Sequence, residues 1–191
     1  MTIANDPAFP EHPFWDFSLQ AYRGEVPGAC LRLQDSYGLD ANVVLYALWR
    51  GTQTGGPLSA PGMENFLHAV RQWHGSVVQP LRQSRRASRI TPQALPEALV
   101  KTLHDRILQV EIATEHAEQL LIADSGDRHF GPTGEATRDA DGGRQAATHN
   151  LQAYFAATDT PLDETVLAVV QTLLDAVFGL HKEMVMGSYA T

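Results

Sequence analysis

The residues best placed to do chemistry are histidines and acids on two consecutive amphipathic stretches. The first, from Pro61, carries Glu64, His68, Arg71 and His74; the second, Pro96 to Ala123, carries His104, Glu111, Glu115 and Glu118. If both are helices packed antiparallel about the ITPQAL turn, His68 faces Glu118, Arg71 faces Glu115 and His74 faces Glu111. Carboxylates and imidazoles that project into a bundle are how di-metal centres are built. A metal reading therefore takes Glu64, His68, Glu111, Glu115 and Glu118 as ligands. Against it, neither stretch carries a Glu-x-x-His pair, and the adjacent Glu115 and His116 point apart on a helix. Arg71 in the middle of the seam would also repel a cation. The expectation is an ion-paired polar seam holding no metal and no cofactor, with the metal centre as the alternative.

Arg82, Arg85, Arg86 and Arg89 form a basic run after the first stretch. Guanidinium groups recognise carboxylates and phosphates. No aromatic residues are interleaved with them to stack on bases, and a formal charge of −8 opposes polyanions. The run is read as a surface for another protein, not for nucleic acid or membrane. Cys30 lies in an apolar helical pattern without an activating neighbour, so it reads as a small buried side chain, not a nucleophile. Asp40 reads as a helix cap; Asn42 beside it has no role legible in the sequence. Asp139 and Asp141 miss the calcium-loop spacing, since Arg144 stands where that loop needs glycine. Phosphate-loop, nucleophile-elbow, zincin and dinucleotide motifs are missing, and the reading leans away from an enzyme.

The elements that must position these residues are helices. Proline at Pro13, Pro27, Pro61, Pro96 and Pro161 suits helix starts. The spacing predicts helices over about 13–23, 27–37, 41–50, 61–81, 96–123, 144–157 and 163–180. Gly38 and Gly51 read as terminators and Pro80 as a kink or break. In the long helix, Leu99, Leu103, Ile107, Val110, Ala117 and Leu121 define an oily face expected to meet the core. The third and last helices are the most apolar and are expected to be central. Residues 1–12 read as an extended lead-in, 51–61 and 124–143 as flexible loops, and the tail from His181 as frayed.

Apolar residues make up 43% of 191, enough for one domain with a core of its own. A single cysteine excludes an internal disulfide and fits a reducing compartment. The N-terminal segment lacks the basic-then-apolar order of a secretory signal, and no stretch has the apolar length of a membrane span. The expected location is the cytoplasm.

Residues 14–50 resemble the start of a family of mostly proteobacterial proteins known only as a domain of unknown function. The pattern is carried by Trp15 and Phe17, Cys30 to Asp35, Gly38, Asp40, Asn42, Leu45 and Trp49, and it continues through Val77–Arg86 and the acidic long helix. The resemblance implies a small bacterial helical protein and brings no catalytic residue, cofactor or activity. The sequence therefore predicts an all-α, single-domain bundle of six or seven helices with a long hairpin of helices 4 and 5. Its expected role is that of a non-catalytic protein–protein interaction or adaptor module presenting Arg82, Arg85, Arg86 and Arg89, with self-association left open.

Overall fold

The computed structural model describes residues 9–90, 95–137 and 139–187, with side chains as far as 179. Its elements are α1 (Pro13–Ala21), α2 (Val26–Tyr37), α3 (Ala41–Gly51), α4 (Ala60–Trp73), α5 (Gln79–Ala87), α6 (Glu97–Phe130), α7 (Ala140–Ala157) and α8 (Glu164–Gly187). A π-helical turn, His74–Val78, joins α4 to α5, so the described residues form seven helical rods in an all-α bundle. Of the kink or break expected at Pro80, the chain shows no break but a π-helical irregularity just before the proline. The Gln79 N–H donates to the His74 carbonyl five residues back, and this wider turn accommodates a proline that has no N–H to give.

The core is built around α3, of which every residue is buried. Its start is capped as expected, with Asp40 Oδ1 accepting from the Asn42 N–H at 2.9 Å. The preceding helix, α2, ends on Gly38 in the left-handed region at φ 67°. Small residues let α7 run close beside α3: a Cβ on Gly51 would lie 2.5 Å from the Ala147 Cβ. The last helix was expected to share the centre. Instead α8 buries one face through Val166, Val169, Leu173 and Val177 and leaves Leu167 exposed. It runs to Gly187, past the point where fraying was expected.

The two glycine-rich segments are not independent flexible loops. Residues 124–130 complete α6 and 140–143 begin α7. Between them, Glu135 accepts from the Thr54 N–H at 2.7 Å, and Thr52 accepts from the Thr137 N–H at 2.8 Å. Gly126 marks a close approach, since a Cβ there would overlap the Tyr46 hydroxyl. Arg50 clasps the same region. Its guanidinium, with a side chain only 1% exposed, donates to the carbonyls of Gly56 (2.9 Å), Phe130 (3.2 Å) and Gly131 (3.0 Å) and to the Tyr46 hydroxyl (3.1 Å). A cation gathering the last carbonyls of α6 satisfies groups that a helix end leaves open. No helix among the described residues is long and apolar enough to cross a membrane.

Candidate functional site

The long helix α6 lies the other way round from the expected orientation. Leu99, Leu103 and Val110 of its oily face are 44%, 43% and 51% exposed, and Leu121 is exposed too. Its buried residues include Glu111, Glu118 and Gln119. Period alone identifies two faces; which one the rest of the chain covers depends on partners from other elements. Here those partners are an arginine pair from α5, a histidine from the π turn, and Asp40 and Asn42 from the start of α3.

The seam of α6 with α4 and α5 exists, but its register differs from the expected one. Ion pairs join Arg82 Nη2 to Glu115 Oε1 at 2.6 Å and Arg85 Nε to Glu111 Oε2 at 2.5 Å, and His74 Nδ1 meets Glu118 Oε1 at 2.9 Å. The expected pairs were Arg71–Glu115, His74–Glu111 and His68–Glu118. The helices begin and end about ITPQAL as expected, but the acids of α6 meet side chains from the π turn and α5 instead of α4; residues 91–94 of that turn lie outside the described residues. Glu64, His68 and Arg71 end on the exposed side of α4. Arg82 and Arg85, read from the sequence as a presented surface, turn inward onto acids. Arg86 and Arg89 remain exposed, Arg86 within 3.6 Å of Asp35. His116 points away from Glu115 and stacks on Trp15, ring centres 4.1 Å apart.

What the sequence did not bring together is the trio Asp40, His74 and Glu118. All three are buried, and one ligand-capable atom from each lies within 4.8 Å of the other two. The same imidazole nitrogen, His74 Nδ1, is 2.9 Å from Glu118 Oε1 and 3.0 Å from Asp40 Oδ2. A single Nδ1–H lies between the two carboxylates. The hydrogen bond goes to Glu118, and Asp40 Oδ2 is left buried with no donor. Burial alone would lower the His74 pKa, but the carboxylates of Asp40 and Glu118 beside it outweigh that and raise it to about 10. Burial, reinforced by the Asp40 charge, pushes Glu118 up. The imidazolium is the form that follows, since it faces two carboxylates and no other cation among the described residues is bonded to either. With both carboxylates ionised the trio carries one negative charge in excess, felt at a distance by Arg82, whose hydrogen bonds go to Glu115 and Gln34.

Asn42 now has a role. Its Nδ2 donates to Glu118 Oε2 at 2.5 Å, and its Oδ1 accepts from Gln119 Nε2 at 2.9 Å. An asparagine at the start of a helix without a polar face is the signal from which a buried polar network could have been read. Two of the trio, Asp40 and His74, are also reachable. A cavity of about 530 Å³, lined by Asp40, His74, Tyr154, Arg71 and Thr158 among others, opens beside them. Tyr154, whose hydroxyl accepts from the Asp40 N–H at 2.9 Å, is pushed up by burial and stays a neutral phenol. Cys30 is buried and raised by that burial to about 12, which fits the inert side chain expected.

The fold and the site define an all-α bundle with a buried acid–histidine centre. The chain belongs to a family of proteins of unknown function (DUF2390), whose model matches residues 13–122, a span that holds the trio and both arginine–glutamate pairs. Neither a curated protein nor a solved structure matches the chain.

Proposed function

We propose that this chain is a metal-binding helical bundle in which Asp40, His74 and Glu118 hold one divalent cation of the first transition row. The observation that carries the reading is Asp40 Oδ2: a buried carboxylate oxygen without a donor, aimed at an imidazole nitrogen already engaged by a second carboxylate. Burying unbalanced charge is costly, and a cation in place of the Nδ1 proton removes the imbalance. Two carboxylates and one imidazole suit manganese, iron or zinc better than soft, thiolate-seeking ions. Ligand atoms about 3 Å apart around the shared nitrogen match the spacing of neighbouring ligands around such an ion. Three protein ligands leave coordination positions open toward the cavity, the arrangement of reactive metal sites rather than closed structural ones. Arg71, on the cavity wall, gives it a group for an anionic substrate.

Calorimetric titration of chelator-treated protein with manganese or zinc tests this. One equivalent binds to the wild type, Asp40→Asn and Glu118→Gln lose it, and Glu64→Gln with His68→Asn leaves it unchanged. Binding that survives Asp40→Asn and Glu118→Gln together would refute the assignment.

A second reading, a protein–protein interaction module, is favoured by Leu99, Leu103 and Val110 exposed along α6, with Arg86 and Arg89 exposed on α5 and just beyond it. Mass in solution, with and without Leu103→Glu, tests whether that ridge joins two copies.

A further inference from the structure

A second cavity, of about 400 Å³, lies on the other side of the polar network, between α1, α2, α5 and α6. Its walls gather large apolar side chains that are otherwise left partly in water: Leu19, Tyr22, Leu31 and Leu108 are all exposed and all line it. The volume is in the range of small-molecule sites.

The polar end of this cavity is fixed by a chain of hydrogen-bond logic. Glu118 Oε2, a carboxylate oxygen, accepts, so Asn42 must present its Nδ2 there and turn its Oδ1 to Gln119. Gln119 must then donate its Nε2 to Asn42, and its Oε1 is left over. Gln119 lines the cavity and is only 3% exposed, and Oε1 is buried without a donor. A proton or a metal at His74 leaves this polarity unchanged, because either acts on Oε1 of Glu118, not on Oε2. The inference is therefore independent of the metal reading. Along the rim, Arg82, Arg85 and Arg86 face Glu111 and Glu115, which pair with the first two. Arg82 and Arg85 are held by those buried or half-buried acids, whereas Arg86 meets Asp35 at 3.6 Å with both side chains in water, so it is the rim cation freest to take an anionic group.

We infer that this cavity binds a small amphipathic organic acid: an apolar body against Leu19, Leu31, Leu108 and Ile112, one N–H or O–H donated to Gln119 Oε1, and one acidic group at Arg86. The test uses 6-anilinonaphthalene-2-sulfonate, which has an aromatic body with one N–H and one sulfonate at opposite ends. It is titrated by fluorescence into chelator-treated protein, so failure here leaves the metal reading standing. The expected result is one saturable site. Ile112→Trp, which fills the cavity, weakens binding more than tenfold, Arg86→Glu weakens it about fivefold, and methylation of the probe nitrogen weakens it about tenfold. Leu121→Ser, on another face of α6, leaves it unchanged. Arg86→Glu and the methylated probe disturb no buried packing, so the test stands even if Ile112→Trp does not fold. Unsaturable binding, no binding, or an affinity indifferent to both Arg86→Glu and methylation would overturn the inference.

Discussion

The two ends of α3 each bury a polar group, and they treat it in opposite ways. At the C-terminal end, Arg50 is surrounded by acceptors, three carbonyls and a phenol, with Asp127 at 3.9 Å. Both terminal nitrogens are engaged, and they tie α3 to the end of α6. At the N-terminal end, Asp40 shares one imidazole nitrogen with Glu118, keeps an oxygen without a donor and faces an open cavity. Buried polar groups that serve only folding are satisfied. The difference teaches where to look for function: at the buried cluster whose hydrogen-bond and charge balance is incomplete.

Mutations break or sharpen that contrast. The largest loss is expected at the satisfied end. Arg50→Ala strands several buried acceptors and lowers stability by about 3–5 kcal/mol in denaturant unfolding, with no effect on metal affinity in whatever fraction stays folded. Gly51→Ala, beside it, forces α3 away from Ala147 and costs about 1–3 kcal/mol. At the unsatisfied end the sign reverses. Asparagine caps a helix as well as aspartate does, so Asp40→Asn removes the excess charge and keeps the cap. In metal-free protein it should raise stability by about 1 kcal/mol, whereas a purely structural ion pair would be weakened by the same change.

The pH dependence of metal-free protein sharpens the point further. A histidine raised to about 10 stabilises the fold fully below its ordinary value of 6.5 and loses that contribution as pH rises through 10. Glu118, also raised, acts in the same direction. The melting temperature should fall between pH 6.5 and 10, and fall less in Asp40→Asn. The smallest effect is at Cys30. With its thiol raised to about 12, it should stay unreactive to a thiol reagent at pH 8 until the protein unfolds.

Much of the scaffold was legible because its signals are local. Asp40 as a cap, Gly38 in the left-handed region and prolines near helix starts follow from backbone chemistry that neighbours in sequence determine. The burial of α3 followed from its lack of a polar face. The orientation of α6 was not legible, because acids turn inward only when Arg82, Arg85, His74 and Asn42 arrive from other elements to meet them. Residues 124–130 looked like a loop because glycine was read as freedom; Gly126 is there because Tyr46 leaves no room for a Cβ. Asp40 was half read. Capping explains Oδ1, and only the fold shows that Oδ2 points at His74.

The most direct measurement is the metal content of protein purified without an affinity tag or chelator, beside Asp40→Asn and Glu118→Gln prepared the same way. The account predicts close to one equivalent of manganese, iron or zinc in the wild type and little in either variant. Wild-type protein that is metal-free and takes up none of the three on addition would contradict it, and would leave Asp40, His74 and Glu118 as a proton-sharing cluster.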